Sequence, residues 1–79
     1  MYTSSYCPYC ANAERLLSAK GINMIEKIPV DQDPKELEKM IKKTGKRTVP
    51  QIFIGELHIG GFDELRASDL SGELDKILA

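Results

Sequence analysis

Cys7-Pro8-Tyr9-Cys10 constrains this chain more than any other stretch, because a proline set directly after a cysteine, at the head of an apolar helical pattern, fixes where a helix begins. Pro8 has its φ held near the helical value and no N–H to satisfy, so it suits the first helical position and leaves Cys7 at the N-cap. There the Cys7 sulfur can accept hydrogen bonds from the backbone N–H groups of Tyr9 and Cys10, at the positive end of the helix dipole. Both effects favour thiolate over thiol, and helix-start cysteines in Cys-x-x-Cys pairs titrate at roughly 3.5–7.5 instead of about 8.5. Cys10, one turn further on and shielded by the helix, keeps a more ordinary thiol. The pair predicts Cys7 as nucleophile and Cys10 as resolving thiol.

Two plainer readings compete. A zinc site needs two more ligands, typically a second cysteine pair or two histidines, and the chain offers only His58 beyond its two cysteines. A structural disulfide across so short a loop constrains the unfolded chain very little, and cytosolic proteins rarely carry one. Redox exchange is the reading that the downstream pattern favours.

Composition narrows the partners. At 79 residues the chain is expected to form one domain, residues 1–79, with a compact core sensitive to single changes. Charged residues make up 29%, hydrophobic ones 42%, and the net charge of −1 leaves no basic stripe to follow a phosphate backbone, so nucleic acid is not an expected partner. Met1-Tyr2-Thr3-Ser4-Ser5 lacks the regions of a signal peptide, and no apolar run approaches a membrane span. A cytoplasmic location is the expectation.

The periodicity predicts a helix over Pro8–Ala19, with Cys10, Ala13, Leu16 and Leu17 on one face and Gly21 as its stop. Asn23–Val30 reads as a strand with Pro29 near its end. Asp33-Pro34-Lys35-Glu36 has the form of an N-cap, a first-turn proline and a capping acid, opening a helix to about Lys43 that buries Leu37, Met40, Ile41 and Thr44 and ends at Gly45. Its charged face, Lys35, Glu38, Lys39 and Lys42, reads as solvated. Gln51–Ile54 and Leu57–Ile59 flank Gly55-Glu56, a hairpin signal. Gly60-Gly61 breaks the sheet; Phe62–Ala67 and Ser71–Leu78 then read as short helices, with Leu65, Leu70, Leu74, Ile77 and Leu78 toward the core. A strand before Cys7 completes a right-handed βαβ unit, and Met1 to Ser4 must supply it. His58 reads as an exposed hairpin residue without a role.

Cys7-Pro8-Tyr9-Cys10, then Thr48-Val49-Pro50 leading into a hairpin strand, then Gly60-Gly61-Phe62-Asp63 opening a helix, resemble a dithiol glutaredoxin of the short bacterial type across essentially the whole chain. Alone, Gly60-Gly61 would be a plain turn and Thr48 a plain strand residue. The resemblance implies an α/β thioredoxin-like fold, a four-stranded mixed sheet flanked by helices. It implies a glutathione-dependent thiol–disulfide oxidoreductase that reduces glutathione mixed disulfides and protein disulfides, with Pro8 and Tyr9 completing the catalytic motif. Glutathione would be a co-substrate, with no permanently bound cofactor and no metal, and the protein would work as a monomer. Pro50 matches the family's cis-proline and should face Cys7. The main chain at Val49 would pair with the cysteine portion of glutathione, as strand addition does. Gly61, Phe62 and Asp63 match the pocket for the γ-glutamyl end, where helix-start N–H groups take the carboxylate and an aspartate takes the ammonium. Tyr9 and Thr48 would line the groove. The resemblance also implies glutathionylated or disulfide-containing proteins as partners, with ribonucleotide reductase as a family-level candidate.

Two positions depart from the family pattern. A lysine common after the first strand is Ser4 here, and an Arg or Gln common on the second helix is Leu37, which leaves Arg47, Lys46 or Lys39 to meet the glycine carboxylate. Weaker glutathione binding is the expectation, since charge-assisted bonds contribute more than neutral ones. Two alternatives stand beside the oxidoreductase reading: an electron donor served by thioredoxin reductase, which shares the fold but usually lacks a Gly-Gly-x-Asp pocket, and an iron–sulfur scaffold bridging two protomers through Cys7 and glutathione, against which Pro8 and the second cysteine count.

Overall fold

The computed structural model describes residues 1–78. Its elements run β1 (Tyr2–Thr3), α1 (Pro8–Ala19), β2 (Ile28–Pro29), α2 (Pro34–Thr44), β3 (Ile52–Ile54), β4 (Leu57–Gly60), α3 (Phe62–Leu70) and α4 (Glu73–Leu78). β1 and β2 pair in parallel across α1, and β3 and β4 form the antiparallel hairpin. One bridge joins the two ladders. Tyr2 N–H donates to the Gln51 carbonyl at 2.9 Å and Gln51 N–H to the Tyr2 carbonyl at 3.2 Å, giving the spatial order β2-β1-β3-β4. The mixed four-stranded arrangement is thus present as two short ladders held at a single antiparallel rung.

β2 is much shorter than the strand expected over Asn23–Val30. Its ladder runs from Ile28 N–H, which donates to the Met1 carbonyl at 3.0 Å, to Val30 N–H, which donates to the Thr3 carbonyl at 2.9 Å; Pro29, with no N–H, falls between them on the side facing away from β1. Met24, 93% exposed, has no sheet to pack on.

Successive strand residues face opposite ways, and this divides the core in two. Ile52 joins Ala13 and Leu17 of α1, Leu65 of α3 and Leu74 of α4 on one side. Phe53 packs on the other, with Tyr2, Val30 and Met40 of α2, its ring edge-on to Tyr2 at 5.9 Å. The α2 stripe falls as expected: Met40 is fully buried and Leu37, Ile41 and Thr44 are half-buried. Asp33 caps that helix, accepting from Lys35 N–H at 3.1 Å, and Gly45 closes it in the left-handed region at φ 71°.

The C-terminal helices depart from expectation. α3 continues past Ala67 to Leu70, and Leu70, five residues beyond Leu65, lies about 140° round the helix from it; it is 77% exposed and no core contact. Gly60 does not break the sheet but ends β4, pairing with Ile52 at φ 117°. The φ favours glycine, and a Cβ there would meet Glu64 Cγ at 3.0 Å, so a larger residue also requires Glu64 to shift. Lys20, bridging to Asp69 at 2.7 Å and Asp75 at 2.9 Å, ties the end of α1 to α3 and α4.

Candidate active site

Cys7 sits at the N-cap of α1 with extended backbone, φ −138° and ψ 94°, and Pro8 opens the helix. Its sulfur accepts one backbone bond, from Cys10 N–H at 3.1 Å; Tyr9 N–H, the other donor expected, does not reach it. An N-cap side chain bonds to the second or third helical N–H, and here the third, Cys10, wins. Cys7 and Cys10 are joined as a disulfide, with Cα atoms 5.2 Å apart. Their exposures differ. Cys10 is 4% exposed and packed under the helix, whereas Cys7 is half-buried and open at the surface. An incoming thiol or disulfide therefore meets the Cys7 sulfur.

The loop ahead of Cys7 is pinned from the α2 side. Ser5 N–H donates to Asp31 Oδ2 at 3.1 Å, and Gln32 Nε2 donates to Ser5 Oγ at 2.9 Å. The hydrogen bonds from Ser5, its backbone N–H first, hold the Asp31 carboxyl below the usual aspartate range.

Across from the cysteines runs Thr48-Val49-Pro50, with the Val49–Pro50 peptide cis and Pro50 buried. From this segment the Val49 carbonyl oxygen lies 3.8 Å from Cys7 Sγ. Gly61, at the N-cap of α3, lies beside this segment, where a Cβ would stand at ordinary contact distance, 3.5 Å, from the Pro50 carbonyl, and its N–H is taken by Glu64 Oε2 at 3.1 Å. Tyr9 and Phe62 face each other with ring centroids 6.2 Å apart.

These pieces enclose a cleft of about 210 Å³. Tyr9, Thr48, Val49, Pro50, Gly61, Phe62 and Asp63, every residue expected on the groove, line it, together with Lys46, Gln51 and Glu64. Of the three cations expected near the glycine carboxylate, Lys46 is on the lining; Arg47 and Lys39 are not, and neither is Leu37. The cysteines border a second depression of about 380 Å³ with Ser4, Glu14 and Lys27 on its walls. The sulfurs thus border this depression, and the cleft approaches Cys7 through Val49. A larger groove of about 830 Å³, bordered by Leu17, Ile22, Met24, Ile25 and Phe53, includes no residue of the Cys7–Cys10, Thr48–Pro50 or Gly61–Asp63 segments.

Sequence reasoning missed Gln51 and His58. Gln51 is 1% exposed, and His58, expected to be exposed, is half-buried, its Nε2 2.8 Å from Gln51 Oε1 and its ring stacked on Phe53 at 4.8 Å. No local pattern marks either one, since a glutamine and a histidine in a hairpin are ordinarily solvated.

Comparison with known proteins agrees with this geometry. The Glutaredoxin family model matches residues 1–59. The chain is 50% identical over 78 residues to the glutaredoxin of Neisseria meningitidis serogroup B, covering 99% of this chain and 92% of that protein. It is likewise 50% identical over 78 residues to glutaredoxin 3 of Escherichia coli K12, covering 99% and 93%. Among solved structures, the buckwheat glutaredoxin–glutathione complex superposes with a TM-score of 0.87 at 32% identity, over 98% of this chain and 72% of that one. The solution structure of the Brucella melitensis glutaredoxin gives 0.83 at 43% identity, over 98% and 83%. The thioredoxin-like α/β fold follows from these likenesses, and an exposed cysteine paired with a covered one at a helix start gives that fold its chemistry. The chain belongs to the glutaredoxin family, and it is a thiol–disulfide oxidoreductase.

Proposed function

We propose that this protein, as one domain, uses glutathione to reduce glutathione mixed disulfides and protein disulfides through Cys7 and Cys10. The observation that carries the reading is the cleft beside Cys7: Tyr9, Thr48, Val49, Pro50, Gly61, Phe62 and Asp63 share one lining, and the Val49 carbonyl is 3.8 Å from the Cys7 sulfur. A bound tripeptide lying along Val49 brings its own sulfur to Cys7. The charges suit its γ-glutamyl end, with Asp63 for the ammonium and the start of α3 for the carboxylate. Lys46 is the cation for the glycine carboxylate, in place of the family residues replaced by Ser4 and Leu37. A solved relative is a glutaredoxin–glutathione complex, which supports glutathione as the ligand.

In the reduced protein the start of α1 favours the Cys7 thiolate. That thiolate attacks the glutathione sulfur of a mixed disulfide, the substrate sulfur leaves as thiolate and takes a proton from water, and glutathione stays on Cys7. A second glutathione thiolate then attacks the bound glutathione sulfur, giving glutathione disulfide and restoring Cys7. Alternatively Cys10 loses its proton and attacks the Cys7 sulfur, releasing glutathione and leaving the Cys7–Cys10 disulfide seen here. Two further glutathiones reduce that disulfide. Each cycle moves two electrons. Disulfides of protein substrates, of which ribonucleotide reductase would be one, take the Cys10 branch. The protein would act as a cytoplasmic monomer.

The test is to trap the intermediate. Reduced Cys10→Ser protein treated with glutathione disulfide should carry one glutathione on Cys7 by mass spectrometry and should turn over glutathione mixed disulfides. Absence of both the adduct and the turnover overturns the glutathione reading.

A further inference from the structure

Among the described residues, Gln51 is the one buried side chain that is polar. Its carboxamide Nε2 donates to the Thr48 carbonyl at 3.0 Å and to Thr48 Oγ1 at 3.3 Å, and its Oε1 faces His58 Nε2 at 2.8 Å. A carbonyl oxygen can only accept, so the Thr48 carbonyl fixes which end of the carboxamide is nitrogen. Oε1 therefore faces His58, and His58 Nε2 carries the proton. The ring tautomer protonated at Nε2 supplies that donor. Stacking on Phe53 fixes the plane of the imidazole. The Gln51 main chain is itself held, exchanging both of its hydrogen bonds with Tyr2 of β1.

The consequence falls on Val49. The Thr48–Val49 peptide is trans, so its C=O and N–H point in opposite directions. Tying the Thr48 oxygen inward to Gln51 aims the Val49 N–H the other way, and Val49 lines the cleft. Among the described residues, that N–H donates to no acceptor. We propose that His58 and Gln51 are positioning residues, which act through the Thr48 carbonyl to hold the Val49 N–H toward the cleft, where it donates to an amide carbonyl of glutathione. The proposal deepens the glutathione reading and rests on it. It also gives a role to a hairpin histidine that touches neither sulfur nor substrate.

The experiment compares His58→Leu, which removes the donor, with His58→Gln, whose Nε2 can still donate to Gln51. Gln51→Met removes the whole relay at similar volume and carries the same expectation as His58→Leu should that variant fail to fold. With a glutathione mixed disulfide as substrate, KM should rise about five- to tenfold in His58→Leu and Gln51→Met, the size expected for one misdirected hydrogen bond. kcat and the alkylation rate of Cys7 should stay near wild type, and His58→Gln should stay within about twofold of wild type in KM. An unchanged KM in His58→Leu overturns the proposal, as does an equal rise in His58→Gln, which would assign the effect to packing of the ring. NMR separates this from failure of the glutathione reading. The Gln51 carboxamide protons should exchange slowly in wild type and His58→Gln and rapidly in His58→Leu; fast exchange in wild type overturns the relay whatever the substrate.

Discussion

At the scale of single residues, the two cysteines divide the work by their surroundings. Cys7 is open and takes a helix-start N–H bond, while Cys10 is 4% exposed. Cys7→Ser should abolish both mixed-disulfide and protein-disulfide reduction, whereas Cys10→Ser should keep the first and lose the second, as read by parallel assays on a glutathionylated peptide and an insulin-type disulfide. Reduced Cys7 should also be alkylated at mildly acidic pH, where an ordinary thiol is inert. Asp31 gives a pH-dependent effect of definite sign. Ser5 holds its folded-state pKa below the unfolded value, so the contact stabilises the protein at pH above the ordinary aspartate value of about 3.9 and is lost as pH falls through the lower folded value. Asp31→Asn should therefore lower Tm at neutral pH, and the difference from wild type should vanish in strong acid. Cys7 and Cys10 were legible in the sequence because cap, proline and spacing are all local. Gln51 and His58 were not, because their contact depends on how β4 folds back beside the turn before β3.

At the scale of elements, the helices with local signals formed where those signals stood. α1 runs from Pro8 to Ala19 as the apolar spacing requires, and α2 lies between Asp33 and Gly45. Asp33→Ala should cost about 1 kcal/mol, the usual loss for an N-cap, measured by urea denaturation. Elements whose limits depend on partners were harder to read. β2 is confined to Ile28–Pro29 because only these two residues find partners in β1, at Tyr2 and Thr3, a limit that the apolar run from Asn23 does not carry. Gly60 looked like a breaker because glycine often is one; its place at the end of β4 follows from Glu64 of α3 lying against it. Gly60→Ala should cost more than the roughly 1–2 kcal/mol of a left-handed residue, because Glu64 must also move.

At the scale of the whole molecule, the site is held between two small cores. α1, α3 and α4 meet at Leu65 and Leu74, both fully buried, and α2 closes the opposite face over Met40. Leu65→Ala should destabilise the protein by about 2–5 kcal/mol, a large share of the roughly 5–15 kcal/mol typical of a domain, with Tm falling accordingly. Activity per folded molecule should be retained, since Leu65 lines neither the cleft nor the depression beside the cysteines. The central claim is that the cleft beside Cys7 makes glutathione the electron source. The measurement that tests it most directly is turnover of a glutathione mixed disulfide with glutathione, glutathione reductase and NADPH, run beside the same protein supplied only with thioredoxin reductase and NADPH. Turnover in the glutathione arm alone is the predicted result; turnover in the thioredoxin reductase arm alone would contradict it and show that Ser4 and Leu37 have removed the contacts glutathione needs.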